Sequence, residues 1–327
     1  MFRTDIGTDV EQAARWLELG QCVAIPTETV YGLAANALDP VAVARIFETK
    51  NRPAFDPLIV HVLDFAAAEA LVEEFPDPLR QLAVRFWPGP LTILLTKRVI
   101  IPDLVTAGLP RVAIRAPAHS LTRQLLMRLP FPLAAPSANP FGYISPTTPQ
   151  HVYDQLQGKI PYILDGGPCA VGMESTIVGL ENGSLIVYRL GGLPIEALET
   201  SVNMRIVVQK HSSSRPTAPG MLTTHYAPRK PLLLWPSAED WPKAASEGQR
   251  VGLLLFYPRK SLPPHNQSIV LSQTGDLKEA ARNLFSALRS LDSASDVDVI
   301  WAEECPAVGL GRAINDRLRR AAAKASE

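Results

Sequence analysis

Along this chain, apolar residues alternate between stretches with a helical period and short continuous runs, the pattern of a mixed α/β protein. Asp9-Val10-Glu11 opens an apolar-periodic stretch that reaches Leu19 and is closed by Gly20, which predicts a capped helix. Cys22 to Pro26 follows as a buried strand. Pro40 takes the place of a first helical residue, the next helix runs through Ile46-Phe47 to Lys50, and Leu58 to Val62 is a second strand. Further strands are predicted at Leu91 to Thr96, Val112 to Ala116, Leu133 to Pro136, Tyr162 to Asp165, Thr176 to Leu180 and Leu185 to Arg189. Helices are expected near 65–74, 119–129 and 148–157. Asn182-Gly183 between two apolar runs reads as a hairpin turn, so the sheet is partly antiparallel.

The periodicity collapses between about Val208 and Pro231, where Lys210-His211-Ser212-Ser213-Ser214-Arg215-Pro216 and Ala218-Pro219-Gly220-Met221 have the composition of a linker. Beyond it, strands at Leu232 to Trp235, Val251 to Tyr257 and Asp298 to Ala302 alternate with helices from about Ala238, over 275–291 and from Arg312. That order predicts a second, smaller three-layer βαβ domain. The expected division is a first domain over 1–205, a linker over 206–230 and a C-terminal α/β domain over 231–327.

Composition narrows the class of protein. With 327 residues, 46% hydrophobic and 20% charged, the chain has material for two cores. Its 32 basic and 32 acidic residues cancel, so no global field draws it onto nucleic acid or an anionic membrane. Cys22, Cys169 and Cys305 lie far apart, which suggests neither a disulfide framework nor a zinc ribbon and points to a reducing compartment. No signal peptide, lipidation motif or apolar run of bilayer length is present, so cytoplasmic localisation and no membrane partner are expected. No G-x-x-x-x-G-K-[ST], no G-x-G-x-x-G after a strand, no G-x-S-x-G and no histidine pair at metal-ligand spacing occurs.

The remaining chemistry lies in short segments. Lys50-Asn51-Arg52-Pro53 places two cations at a helix end, which taken alone reads as a solvated basic C-terminus favoured by the helix dipole. Pro136-Ser137-Ala138-Asn139-Pro140 offers a hydroxyl and an amide on alternate residues after a strand, an arrangement equally at home in a turn. Both segments fall where ligands bind open α/β sheets, and together they would suit a triphosphate that no glycine-rich loop cradles. Arg115, inside an apolar strand, calls for a carboxylate: Glu28, Glu174 or the acid group of a substrate. Glu174-Ser175-Thr176-Ile177-Val178 and Val187-Tyr188-Arg189 add a hydroxyl at a strand start and a cation at a strand end, either of which could be an edge feature.

Taken together, Pro26 to Leu33, Lys50-x-Arg52-Pro53, Ser137-x-Asn139 and Ser175-Thr176-Ile177-Val178 resemble the motif set of the threonylcarbamoyl-adenylate synthases with a YrdC-type domain. Ala218 to Met221, His225-Tyr226-Ala227-Pro228 and Gly309-Leu310-Gly311-x-Ala313-Ile314-Asn315-Asp316-Arg317-Leu318 resemble the two-domain form of that family, and the resemblance spans nearly the whole chain. It implies a YrdC-like twisted mixed sheet and an enzyme that condenses L-threonine, bicarbonate and ATP, with Mg²⁺ carried by the ATP, to threonylcarbamoyl-adenylate and pyrophosphate. The product would pass to a complex that threonylcarbamoylates tRNA. Carried over by match, Lys50, Arg52, Ser137, Asn139 and Arg189 would hold the nucleotide, with Arg111 and Ser145 as further candidates. Thr29, His61, Arg115, Ala135 and Ser175 would hold threonine, and His225 and Tyr226 would belong to a linker closing over the site. Asp56, also counted among the ATP-binding positions, stands where the family commonly has asparagine; a carboxylate there repels phosphates unless Mg²⁺ or an arginine pairs with it, and it could help hold Mg²⁺. A competing reading is a double-stranded-RNA or tRNA binding module in which Lys50, Arg52 and Arg317-Leu318-Arg319-Arg320 contact phosphates, although the basic run is also explained as a helix end. A carbamoyltransferase would carry zinc-finger and acylphosphatase-like segments, and none is visible.

Overall fold

The computed structural model describes residues 2–209, 218–221, 225–235 and 249–323. The Lys210 to Pro216 stretch and the helix expected from Ala238 therefore lie outside the described residues. Eleven strands form one sheet in the order Asp5–Gly7, Tyr162–Leu164, Val23–Ile25, Gly32–Asn36, Leu133–Ala134, Ile59–His61, Arg111–Arg115, Leu91–Thr96, Thr176–Glu181, Ser184–Arg189 and Ile206–Val208. Parallel and antiparallel pairs are mixed, and the central strands are buried on both faces, as a helix-covered sheet requires. Four parallel strands form a second sheet in the order Leu232–Trp235, Val299–Glu303, Val251–Leu255, Gln267–Val270.

Local chemistry explains the element ends. Asp9 caps the Val10–Glu18 helix by accepting from the Glu11 and Gln12 amides, and Asp39 caps Pro40–Lys50 with proline in the first turn. That helix stops at Asn51, which adopts left-handed φ 51°. Asn182 and Gly183 have φ 47° and 72°, the two positive angles of a type I′ turn, between antiparallel strands.

Several elements differ from the sequence pattern. Gly32–Asn36, which the pattern did not single out, is a strand, because small side chains let it fit between Val23–Ile25 and Leu133–Ala134. The helix expected over 65–74 is one short helix, Phe65–Glu69, while Asp77–Phe86, Asp103–Thr106 and Ile195–Glu199 are helices that the pattern did not single out. Asp5–Gly7, Ile206–Val208 and Gln267–Val270 extend the sheets at their edges, where the burial that produces a readable pattern is weakest. Arg317 and Arg320, expected in a basic helix end, are 0% and 3% exposed inside the Gly311–Ala322 helix; only Arg319 of that run is open to water.

The two sheets are joined through a shared apolar cluster. Val30, Ile144 and Met173 pack with Tyr226 of the linker and with Leu284, Phe285 and Leu288 of the long Leu277–Ser293 helix. Gly172 makes this approach possible: its φ is 77°, and a Cβ there would lie 2.4 Å from Arg282 Cα. The second unit thus rests on the loop that leads into Ser175.

Candidate functional site

Strand register brings the scattered motifs to one end of the large sheet. His61 pairs with Arg115 across parallel strands, Leu91 pairs with Thr176, and Gly32 bridges to Ser137. A shift in register between Val187 and Arg189 opposite Ile177 and Val178 turns Arg189 toward the same place. The cleft so formed holds about 580 Å³ of empty space, open solvent at its mouth included. Its walls carry Thr29, Arg52, His61, Arg115, Ala135, Ser137, Ser175, Arg189, His225 and Tyr226, together with Glu174 and Gly220.

On one wall, Arg115 settles the question of its partner: Nη2 lies 2.8 Å from Glu28 Oε1, Nη1 donates to Thr29 Oγ1 at 2.8 Å, and Nε donates to Gly89 O at 3.1 Å. The buried guanidinium is paired internally, as a desolvated charge must be. Each terminal nitrogen still has an N–H to offer. Thr27 Oγ1 donates to Val30 O, accepts from the Thr29 and Val30 amides and stands 2.7 Å from Thr29 Oγ1, which fixes the Thr29 hydroxyl beside Arg115. Burial, with the Arg115 charge second, lowers the His61 pKa to about 3, so its imidazole is neutral and can donate and accept. Ser175 Oγ lies 2.7 Å from Thr92 Oγ1 and accepts from Arg189 Nη2 at 3.0 Å.

Lys50 and the Ser137–Asn139 segment do converge, but not as two donors facing a ligand: of these residues only Ser137 lines the cleft. Lys50 is 1% exposed, and its ammonium donates to the carbonyls of Ser137 and Asn139. Phe141 N donates back to Lys50 O at 2.9 Å. The reading of this loop as a solvated helix end is thereby excluded. Burial and the neighbouring Arg52 hold the Lys50 pKa well below its ordinary value. Arg52 faces the cleft; Nε donates to Asp56 O at 3.1 Å, Nη2 to Pro57 O at 2.9 Å, and Nη2 lies 2.9 Å from Asp56 Oδ2. Asp56 is 0% exposed, so this arginine supplies the pairing that a carboxylate there requires.

Besides Lys50 and Asp56, three further nucleotide candidates stand apart from the cleft wall. Asn139 donates into its own loop, to Pro140 O and Tyr143 O. Ser145 donates to Glu174 Oε1 at 2.6 Å. Arg111 shares a strand face with Arg115 but lies four residues, roughly 13 Å, away. There it pairs with Glu181 at 3.0 Å and donates to the Tyr188 hydroxyl at 2.8 Å.

Pro219, Gly220, His225 and Tyr226 also line the cleft. Ala218 and Met221 pack on the sheet face made by Ile59, Ala113, Ile177 and Tyr188. Gly220, at φ 71°, brings its backbone down to Arg189; a Cβ there would sit 3.0 Å from Nη1. Arg189 itself donates to Ser175 O from Nε and Nη2, and burial lowers its pKa to about 10. His225 and Tyr226 follow, with His225 edge-on to Phe141 and Tyr226 stacked on Phe285 at 5.6 Å. Burial, then the Arg320, Arg52, Lys50 and Arg317 charges, hold the His225 pKa well below its ordinary value.

Sequence reasoning named Glu174 only as a possible partner for Arg115 and gave Arg317 no role at the site. In the fold, Arg317 Nε donates to Glu174 Oε2 at 2.9 Å behind the cleft wall. The signal was present: Arg317 falls in register with Ala313, Ile314 and Ala321 on the apolar face of its helix.

A family model described as Telomere recombination (Sua5_yciO_yrdC) matches residues 15–191, and one described as Threonylcarbamoyl-AMP synthase, C-terminal domain, matches residues 193–323. The curated threonylcarbamoyl-AMP synthases of Pyrococcus abyssi and Bacillus subtilis are 41% and 40% identical, covering 94% and 96% of this chain and 92% of each relative. The crystal structure of P. abyssi Sua5 complexed with L-threonine superposes with a TM-score of 0.89 at 39% identity over 99% of this chain and 98% of that one. A P. abyssi Sua5 variant, in which a histidine and the following tyrosine are replaced by alanine, gives 0.90 at 38% identity over 99% of this chain and 97% of its own.

Proposed function

The chain belongs to the threonylcarbamoyl-AMP synthase family, and from that premise we propose how its cleft works on L-threonine, bicarbonate and ATP. Membership makes it an enzyme of tRNA modification that transfers a nucleotidyl group. The observation that carries the finer reading is the wall on which Arg115, Thr29, neutral His61 and Ser175 converge, beside His225 and Tyr226 of the linker.

The free N–H groups of Arg115 take the threonine carboxylate while Glu28 and Gly89 hold the guanidinium in place. Neutral His61 and Thr29 then meet the hydroxyl end. The threonine amine adds to bicarbonate with loss of water to give a carbamate. A carbamate oxygen forms a bond to the α-phosphorus of ATP, the bond from that phosphorus to the bridging oxygen breaks, and pyrophosphate leaves with the electron pair. No side-chain nucleophile is required. Positioning and charge neutralisation supply the catalysis, with Mg²⁺ entering on the nucleotide phosphates. Arg52 and Arg189 are the cations nearest the cleft for those phosphates, and Lys50 holds the Ser137–Asn139 loop that borders them.

We also propose a division into a first domain that extends past the expected end at residue 205 to include the edge strand Ile206–Val208, which pairs with Leu185 to Val187, a linker from there to 230, and residues 231–327, with the linker keeping water from the labile adenylate. Support comes from the separate sheets and from the packing of Ala218, Met221 and Tyr226 at the site. The adenylate is labile, so a complex that transfers the threonylcarbamoyl group to tRNA is the proposed recipient. Mass-spectrometric detection of threonylcarbamoyl-adenylate from ATP and bicarbonate with threonine, serine or valine tests the reading. Product formed in preference with threonine is expected; pyrophosphate release that is indifferent to the amino acid would overturn it.

A further inference from the structure

The Gly311–Ala322 helix belongs to the second unit, yet one of its side chains reaches the back of the cleft. Arg317 is fully buried and divides its guanidinium among three directions. Nε donates to Glu174 Oε2 at 2.9 Å, Nη2 donates to Leu190 O at 2.8 Å, and Nη1 donates to Asp316 Oδ2 at 2.6 Å. Its face lies over the Tyr226 ring, 4.9 Å from the centroid.

Each of the first two partners is the chain neighbour of a cleft residue. Glu174 precedes Ser175, and Leu190 follows Arg189, which itself grips the Ser175 carbonyl. Tyr226 lines the cleft from the linker. One planar fork therefore fixes two strand ends and the linker relative to each other, with an angular constraint that a lysine could not supply.

We propose that Arg317 is a positioning residue, the strut by which the second unit holds Ser175, Arg189 and Tyr226 in the arrangement that receives threonine. This rests on the reading of the cleft given above. A pair that served stability alone would be expected to contribute little net, since desolvation of both charges offsets their attraction. What the geometry secures is the placement of the wall.

The groups facing Glu174 define a test. Burial raises its pKa, and Arg317 and Arg189, with the Ser145 hydroxyl, reverse that and leave it below the ordinary range; the Tyr226 ring completes the enclosure. In Arg317→Met, Arg189 remains as the cation acting on Glu174, with Arg320 over the Tyr226 ring at 4.7 Å from its centroid. Glu174 then stays protonated and quiet at low pH, and becomes a poorly paired charge as pH rises.

Threonine-dependent pyrophosphate release is measured from pH 6 to 9 for the wild type, Arg317→Met, Arg317→Lys and the double variant Glu174→Gln/Arg317→Met, with thermal melting as the check of folding. Arg317→Met is expected to raise the KM for threonine about tenfold, with the ratio of variant to wild-type activity falling as pH rises. The double variant should flatten that ratio. Unchanged threonine KM and a flat ratio in folded Arg317→Met would overturn the proposal. If the methionine variant does not fold, Arg317→Lys decides: it keeps the charge and loses the fork, so wild-type kinetics there overturn the strut. A wild type that forms no threonylcarbamoyl-adenylate overturns the cleft reading and the strut with it, whereas product formation alongside unaffected variants overturns the strut alone.

Discussion

The Lys50 ammonium donates to the main-chain carbonyl of Ser137, tying the end of one helix to a segment 87 residues further along the chain. A second bond reaches Asn139 O, so this lysine is a brace for the loop before it is a ligand for anything else. Arg52, two residues later, is the member of the pair that faces the cleft.

Lys50→Ala would leave two carbonyls without their buried donor and should cost stability on the order of 2 kcal/mol or more, as well as activity. Lys50 is thus predicted to score in both thermal melting and pyrophosphate release. A variant with wild-type melting and no activity would mean that the ammonium acts on the nucleotide rather than on the loop.

Asp56 pairs with Arg52 where an asparagine would leave that guanidinium free of a competing carboxylate. Nucleotide phosphates must compete with Asp56 for the same nitrogen. Asp56→Asn should therefore lower the KM for ATP, by about three- to tenfold, with the KM for threonine unchanged. Initial rates against ATP concentration check this. An unchanged or raised KM for ATP contradicts the competition.

Arg115 makes separate use of Nε and both terminal nitrogens, against Gly89 O, Thr29 Oγ1 and Glu28. A lysine ammonium cannot reproduce that fork and still offer a second edge to a carboxylate. Arg115→Lys is predicted to raise the KM for threonine more than tenfold while changing the KM for ATP little. Equal effects on both substrates would place Arg115 in structural support instead.

How far the sequence foretold this site depends on the kind of order that each residue expresses. Strands such as Leu91–Thr96 and helices such as Pro40–Lys50 were legible because burial and capping are written locally, in apolar runs and in Asp39-Pro40. The meeting of His61 with Arg115, and of Leu91 with Thr176, is a matter of register between distant strands, which no local pattern encodes. Motif resemblance supplied that grouping. It could not choose Glu28 among the three partners open to Arg115, show that Lys50 faces carbonyls, or pair the apolar-face Arg317 with Glu174, because each depends on which side chain a packed neighbour places opposite. Gly32–Asn36 was missed for a related reason: two alanines and a glycine carry no strand signature until tight neighbours on both sides demand small residues.

The neutral His61 makes a prediction about pH. Its folded pKa, about 3, is depressed from the ordinary histidine value of 6.5 mainly by burial, with the Arg115 charge adding to it. Between those values the unfolded chain binds a proton that the folded protein does not, so stability is full above pH 6.5 and declines as pH falls toward 3. His151, lowered to about 4 by burial and then Arg289, acts in the same direction over an overlapping window. Thermal melting from pH 7.5 to 4.5 should therefore show a falling Tm, and His61→Asn should reduce the slope by roughly one proton's worth, about 1.4 kcal/mol per pH unit at most. Because His61 is already neutral at pH 6.5, the threonine KM should show no histidine titration between pH 6 and 8. An inflection near 6.5 that disappears in His61→Asn would mean that the imidazole takes up a proton in the working enzyme and meets the substrate as a cation.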